Sequence, residues 1–245
     1  MLTVHHLGRS QSERIVWLCE ELGLGYELKR YDRAPLLAPP EYKALHPIGT
    51  APVITDGELA LGESGAIIEY ILAKYGKGRL ARELGHPEFA NYLYWLHFAN
   101  GSFQALLHRT LIARRLESSA EHPVLANLQT RLASALDFMN RRLGEADYFA
   151  GGEFTAADIM MVFSLTTMRS FTPYELQPYP HILAYLRRIG AREAYQRAGV
   201  VASSASRRGP RRPSRSTRSP SARGRRDRRR SARGRSSAGT RARAS

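Results

Sequence analysis

The amino-acid sequence predicts an α/β domain of the order βαβ–ββα, followed by an all-α domain and a basic tail. Three observations support this prediction. As far as Tyr75, segments whose apolar residues alternate as in a strand are followed by segments whose apolar residues have helical spacing. From 86 to 198 apolar residues recur only at helical spacing. Beyond Gly199 the chain has no Leu, Ile, Phe, Tyr, Trp, Met or Lys.

The first domain, residues 1–78, begins with apolar alternation over 2–7, which indicates a strand. Over 13–23, apolar residues fall on one helical face, and they include Cys19, which we expect in the core. An Asp56-Gly57 turn favours a hairpin. The predicted elements are strands at 2–7, 24–31, 52–55 and 58–61 and helices at 13–23 and 64–75.

The second domain, residues 86–199, follows a loop at 76–85 that is rich in glycine and charge. Its predicted helices span 87–117, 122–144, 155–170 and 179–198. The third helix begins with a capping box, because Thr155 can cap backbone N–H groups while Asp158, three residues later, bonds back. Asp158 is therefore expected to have a structural role.

The net charge of +15 is concentrated at one end of the chain. Residues 1–199 hold 21 Lys and Arg against 21 Asp and Glu, whereas residues 200–245 hold 16 Arg against the single acid Asp227. The tail has too little apolar surface to offset its ordering entropy, so we expect disorder. Two explanations remain open for it: a solvated basic segment that contacts nucleic acid or acidic membranes, or the product of a frameshift in a G/C-rich gene.

The composition also indicates in which cellular compartment the protein is found. No apolar run approaches the roughly 18 residues of a membrane span, and the N-terminus lacks the pattern of a signal peptide. A lone cysteine, Cys19, excludes an internal disulfide. We therefore expect a cytoplasmic protein without a membrane partner. The eight histidines show no metal-binding spacing, so no metal site is expected either.

Four motifs, in order over residues 1–198, resemble those of the soluble (cytosolic) glutathione S-transferases, in particular the bacterial and fungal serine-type members. They are His5–Arg14 with the helix ending at Leu24, His46–Ile54, Glu63–Ile67 and Phe154–Asp158. The resemblance implies a thioredoxin-like N-terminal domain and an all-α C-terminal domain.

The resemblance to this family also implies an enzyme that uses glutathione as co-substrate against small apolar electrophiles, a role in detoxification, and a homodimer. Peroxide reduction with glutathione is a further expected activity. Two alternatives stay open. One is a noncatalytic ligand carrier or stress protein on the same fold, and the other gives the function to the tail, as a nucleic-acid tether, although aromatic interleaving and a nucleic-acid module are both absent from the sequence.

Ser10 is the candidate catalytic residue. From the residues alone, Ser10 with Glu13 three positions later fits an ordinary N-cap. The resemblance implies instead that the Ser10 hydroxyl donates a hydrogen bond to the glutathione sulfur, while the helix N-terminus adds positive charge that favours the thiolate. Ser12 is the alternative for this role and a candidate glutathione-binding residue.

The remaining candidates for glutathione binding are Pro52, Val53, Glu63 and Ser64. By residue type alone, Pro52 fits a trans-proline at a strand start. The resemblance implies a cis bond that turns the Val53 backbone toward the cysteinyl group of glutathione. Glu63 would accept from the γ-glutamyl ammonium, and Ser64, at a helix start, would bind its carboxylate.

Two parts of the site are less determined. Thr50 stands where such relatives often carry Lys, which leaves open whether His46, Lys43 or Gln11 binds the glycine carboxylate. For the second substrate, the aromatic stretch 94–103 suggests Phe98 and Ser102 as pocket lining. The alternative for this stretch is core or dimer interface.

Overall fold

The computed structural model describes residues 1–34, 37–116 and 122–203, which belong to one compact unit, Met1–Gly209. Its first part is a four-stranded sheet of order β2-β1-β3-β4. The strand β1 pairs parallel with β2 and antiparallel with β3, which forms a hairpin with β4. The elements are β1 (Leu2–Leu7), α1 (Ser12–Leu22), β2 (Glu27–Tyr31), α2 (Pro40–Lys43), β3 (Val53–Asp56), β4 (Leu59–Gly62) and α3 (Ser64–Ile71), which continues as a π-helix over Leu72–Gly76.

The hairpin turn lies one residue later than predicted. Asp56 remains in β3, where it pairs with Leu2 of β1, so that Gly57 and Glu58 make the turn. The Asp56 carboxylate also accepts hydrogen bonds from Lys74 and Tyr70. Gly57 has a φ of +64°, a value that favours glycine.

The second part of the chain is helical, as predicted. Its elements are α4 (Phe89–Phe98), a π-helical segment (Ala99–Gln104), α5 (Ala105–Leu116), α6 (Pro123–Glu145), α7 (Ala156–Leu165), a 3₁₀ turn (Thr167–Ser170), α8 (Pro180–Gly190) and α9 (Glu193–Ser203). None of the helices in the described ranges is both long and apolar enough to cross a membrane.

The prediction of one helix over 179–198 is wrong. The helix α8 ends at Gly190, and a separate helix, α9, begins at Glu193. Glycine is a poor helix former, which explains an interruption at this position. The helix α9 then continues past the predicted start of the tail at residue 200. The predicted disorder of the rest of the tail falls outside the described residues.

The two parts share a buried apolar cluster, in which α1 packs against α7 and α9. Cys19 lies in this cluster, as expected, and burial raises the pKa of its thiol to about 12. The thiol is therefore un-ionised at neutral pH and acts as a small core side chain.

The capping box at α7 is confirmed. The fully buried Asp158 accepts hydrogen bonds from the backbone N–H of Thr155 at 2.9 Å and of Phe149 at 3.1 Å. Its carboxylate also accepts from the Tyr185 hydroxyl at 3.1 Å. Asp158 therefore joins the start of α7 to the preceding loop and to α8.

We expect Asp158→Asn to lower the free energy of unfolding by about 1–3 kcal/mol, because an amide N–H replaces one of the two acceptor oxygens and faces a buried donor. Urea unfolding followed by circular dichroism measures this change. Asp137→Asn, at an exposed position of α6, is the matched control and should stay within about 0.5 kcal/mol of wild type. Equal stability of the two variants would contradict a structural role for Asp158.

Candidate functional site

Three features of the first domain meet at one edge of the sheet. Because β1 and β3 run antiparallel with His5 opposite Val53, the loop after β1 lies beside the chain that enters β3. The start of α3 joins them, since the Ser64 hydroxyl donates to Gln11 Oε1 at 3.3 Å. The edge thus brings together the predicted site residues of the β1–α1 loop, the proline turn and α3.

Ser10 lies in the β1–α1 loop and is 6% exposed. Its hydroxyl donates to the Leu7 carbonyl at 2.7 Å and lies 2.8 Å from the Ser12 hydroxyl. The helix α1 begins at Ser12 with Gln11 at the N-cap position, where the Gln11 side chain makes no cap hydrogen bond. The Ser10 oxygen accepts from the Ser12 backbone N–H at 3.3 Å, so Ser10 caps the first turn from one position before the N-cap. Glu13 closes no capping box and accepts from Thr167 instead.

Ser12, the first residue of α1, is fully buried beside the same loop. Its hydroxyl lies 2.9 Å from His6 Nδ1 and accepts from the Leu7 backbone N–H at 3.2 Å. Burial is the main cause that lowers the pKa of His6 to about 4, so its imidazole is neutral at pH 7. Ser12 thus connects the start of α1 to the end of β1.

The Ala51–Pro52 peptide bond is cis, as the resemblance implied, and the trans interpretation is wrong. Val53 is fully buried and pairs on both sides, with His5 of β1 and with Gly62 of β4. Ala51 precedes β3 and is only half-buried. The backbone before the proline is therefore more accessible than that of Val53.

Glu63 precedes α3 and is exposed, with a φ of +66°. This left-handed conformation is uncommon outside glycine, and such residues cluster at functional sites. The Ser64 hydroxyl beside it is 1% exposed and accepts from Asn100 Nδ2 at 2.8 Å and from Arg14 Nη1 at 3.2 Å. The start of α3 thus combines an exposed carboxylate with a buried hydroxyl.

Arg14 is a central residue of the site that the sequence reasoning missed. Its buried guanidinium donates to side chains of the loop, of α3 and of the π-helical segment, and to one carbonyl of α7: Gln11 Oε1 (2.6 Å), Ser64 Oγ (3.2 Å), Asn100 Oδ1 (2.8 Å), Gln104 Oε1 (3.0 Å) and the Met160 carbonyl (2.6 Å). A signal for it in the sequence was the pair of amide side chains four positions apart, Asn100 and Gln104, at the end of the aromatic stretch.

The residues predicted for a second substrate lie close to this network in the chain. Phe98 is half-buried in an aromatic cluster, stacked on Tyr94 at 5.6 Å and on Phe103 at 6.3 Å between ring centroids, whereas Ser102 is exposed. A separate cavity of about 370 Å³ adjoins the β1–α1 loop, and Gly8 and Arg9 line it together with residues of α9. The part of Phe98 and Ser102 in binding a second substrate stays a prediction.

Within the described ranges, no group of three or more His, Cys, Asp or Glu side chains is arranged to hold a metal ion.

Comparison with known proteins places this geometry in a family. Residues 1–73 match the Glutathione S-transferase, N-terminal domain, and residues 123–188 match the Glutathione S-transferase, C-terminal domain. Glutathione S-transferase 3 of Schizosaccharomyces pombe is 33% identical over 210 residues, which cover 79% of this chain and 85% of that protein. The chain belongs to the glutathione S-transferase family.

Solved structures of glutathione S-transferases support the same family assignment. That from Actinobacillus pleuropneumoniae is 34% identical, with a TM-score of 0.75 over 82% of this chain and 93% of the other. A theta-class glutathione S-transferase from Xanthomonas axonopodis pv. citri, solved with glutathione bound, is 27% identical, with a TM-score of 0.64 over 80% and 96% of the two chains. The thioredoxin-like sheet and the helical part of this glutathione S-transferase are thus those of its family.

We expect Ser12→Ala to destabilise this glutathione S-transferase by about 1–3 kcal/mol, because it leaves His6 Nδ1 and the Leu7 N–H buried without a partner. Chemical unfolding without ligand measures the effect. Ser134→Ala removes an exposed helical hydroxyl and serves as control, with an expected change within about 0.5 kcal/mol. A Ser12 variant as stable as this control would mean that the loop does not depend on the hydroxyl.

Proposed function

We propose that this glutathione S-transferase activates the thiol of glutathione with the Ser10 hydroxyl, so that the thiolate attacks small apolar electrophiles. The observation that carries the proposal is the position of Ser10, at the end of β1, before the N-terminus of α1 and at the same sheet edge as the cis Ala51–Pro52 bond. Glutathione laid along that edge brings its sulfur to the hydroxyl.

The chemistry requires the thiolate, because the thiol is a poor nucleophile. A hydrogen bond from Ser10 and the positive end of the α1 dipole both favour the anion and so lower the thiol pKa. The thiol proton passes to solvent. The sulfur then forms a bond to the electrophilic carbon, and with an aryl halide the halide leaves with its bonding electrons. Reduction of organic hydroperoxides would use the same thiolate.

Ser10 is preferred to Ser12 for this role on the grounds of access. The Ser12 hydroxyl is fully buried and already engaged with His6 and Leu7. Ser10 retains some exposure, and its oxygen accepts from the Ser12 N–H at 3.3 Å. Its proton is donated to the Leu7 carbonyl at 2.7 Å and would turn from that carbonyl to the sulfur when glutathione binds. Ser12 then supports glutathione binding indirectly, by holding the loop.

Glutathione would be held along the rest of the edge. The peptide backbone at the cis-proline pairs with the cysteinyl group as an added strand would, and Ala51 offers that backbone more readily than Val53. Glu63 accepts from the γ-glutamyl ammonium, and Ser64 with the start of α3 binds the carboxylate beside it. Pro52 sets the direction of the chain between them.

The electrophile would lie against the helical part, near Phe98 and Ser102, where exposed aromatic surface is available. The proposed molecule is a cytoplasmic homodimer, since dimers are typical of the family. These assignments, like the division into domains at 1–78 and 86–199, rest on the family resemblance and on the residue positions described above.

We expect Ser10→Ala to lower kcat/KM for conjugation of glutathione with chlorodinitrobenzene by about 10- to 100-fold, the loss of one hydrogen bond to a charged atom. Retention on immobilised glutathione should persist. The pH of half-maximal activity should rise, because the bound thiol loses a group that stabilises its anion.

The Ser134→Ala variant is the control and should match wild type. Equal activity and an unchanged pH profile in Ser10→Ala would overturn the assignment of Ser10. A wild-type protein that binds glutathione without conjugating any electrophile or reducing hydroperoxide would support a ligand carrier instead.

A further inference from the structure

The cavity of about 370 Å³ beside the β1–α1 loop lies between α1 and α9. Its walls come from the end of β1 and the loop after it, from α1, from the 3₁₀ turn and from α9. The candidate residues for thiol activation and glutathione binding are not part of these walls: Ser10, Ser12, Pro52, Val53, Glu63 and Ser64. Its volume falls within the range of pockets that bind small molecules, about 300–1,000 Å³.

Two aromatic rings and three small residues form the apolar part of the cavity. Trp17 and Tyr195 contact each other edge to face, with ring centroids 4.8 Å apart. Opposite them, Ala198 and Ala202 are four positions apart, which places them on the same face of α9, and Gly199 follows Ala198. An aromatic ring suits these walls, because it packs against other rings and fits between flat, small surfaces.

Arg9 is the exposed cation of the cavity wall. Its φ is +52°, a left-handed conformation that is uncommon outside glycine and clusters at functional sites. The guanidinium donates to the Ser170 hydroxyl at 2.7 Å and lies over the Phe171 ring, 5.1 Å from its centroid. Within the described ranges it has no ion-pair partner. Arg9 is therefore held in place by neutral groups.

Glu13 is the acidic residue of the wall, and its carboxylate is already engaged. It accepts from the Thr167 hydroxyl at 2.6 Å. Burial raises the pKa of Glu13, whereas this hydrogen bond and three nearby positive charges lower it, those of Arg14, Arg9 and Arg33. Three guanidinium groups thus act on one carboxyl, so the potential beside it is positive.

The other ionisable groups of the wall, His6 and Tyr195, are uncharged at pH 7. Burial is the main cause that lowers the pKa of His6 to about 4 and that raises the pKa of Tyr195. Neither group offsets the positive charge of Arg9. The cavity therefore favours a ligand with one negative charge and an aromatic ring.

We propose that this cavity is a binding site for small aromatic carboxylates, with the ring between α1 and α9 and the carboxylate on the Arg9 guanidinium. The ligand supplies the opposite charge that the described residues do not place on Arg9. The site is separate from the sheet edge proposed for glutathione, and its occupation does not depend on the conjugation reaction.

Three ligands of one size test the chemistry by calorimetry on the full chain: 3-phenylpropanoate, its neutral amide and the cation 3-phenylpropylamine. Wild type should bind the carboxylate with a Kd of about 1 mM or lower, the affinity that a ligand of this size can reach. It should bind the amide and the amine at least about fivefold more weakly, because each lacks the negative charge.

Arg9→Gln should raise the Kd for 3-phenylpropanoate about fivefold or more and change that for the amide by less than about twofold. Arg131→Gln removes the same charge at an exposed position of α6 and serves as control. Its affinities should equal those of wild type.

Gly199→Leu fills the cavity. A β-carbon at Gly199 meets no atom within 4 Å, and leucine is a better helix former than glycine, so the melting temperature should not fall. The Kd for 3-phenylpropanoate should rise at least about tenfold. Gly190→Leu, in equally open surroundings at the end of α8 but outside the cavity, is the matched control and should bind as wild type does.

Two competitors show whether the site is separate. Saturating glutathione, and S-(2,4-dinitrophenyl)glutathione, which carries both the tripeptide and an aryl group, should each leave the Kd for 3-phenylpropanoate within about twofold. Displacement by either compound would overturn a separate site.

The proposal would also be overturned by tighter binding of the amine, by wild-type affinity in Gly199→Leu, or by an equal loss for acid and amide in Arg9→Gln. The absence of any binding at about 20 mM 3-phenylpropanoate would have the same meaning. A wild type that binds 3-phenylpropanoate but not glutathione would contradict only the proposed transferase function.

Discussion

The structure depends on one buried guanidinium. Arg14 in α1 bonds side chains of the β1–α1 loop, of α3 and of the π-helical segment, together with a carbonyl of α7. A guanidinium offers five donors in a rigid planar arrangement, so its acceptors must be held in matching positions. The sheet and the helical part are thereby fixed to each other at the edge where the family resemblance places the tripeptide. A π-helical segment at that point is consistent with function, because such bulges are frequent at functional sites.

The two serine hydroxyls between β1 and α1 have different surroundings. Ser12 satisfies a neutral imidazole and a backbone N–H inside the fold. Ser10, two residues earlier, bonds mainly to its own loop and remains close to the surface. Two serines only two positions apart thus differ in burial and in partners, and the different roles proposed for them rest on this difference.

Comparison of particular elements shows where pattern reasoning succeeds. The capping box at Thr155 and Asp158 could be predicted because all its atoms lie within four residues, and the order of strands and helices follows from local periodicity. The split between α8 and α9 was missed because the helical spacing of apolar residues continues across Gly190, although the helical conformation of the backbone ends there. The hairpin turn moved by one residue because Asp56 is held in β3 by its pairing with Leu2, a contact 54 positions away in the chain.

The sequence by itself determined the fold class, the family and the candidate hydroxyls, since these follow from motifs in which neighbouring residues interact. Only the tertiary structure decided how far each hydroxyl is buried and what surrounds Arg14. The bond from Arg14 to the Met160 carbonyl joins residues 146 positions apart, and that to Gln104 spans 90. No local pattern specifies such contacts, because they exist only after the apolar faces of α1, α4 and α7 have packed and brought the polar groups between them together.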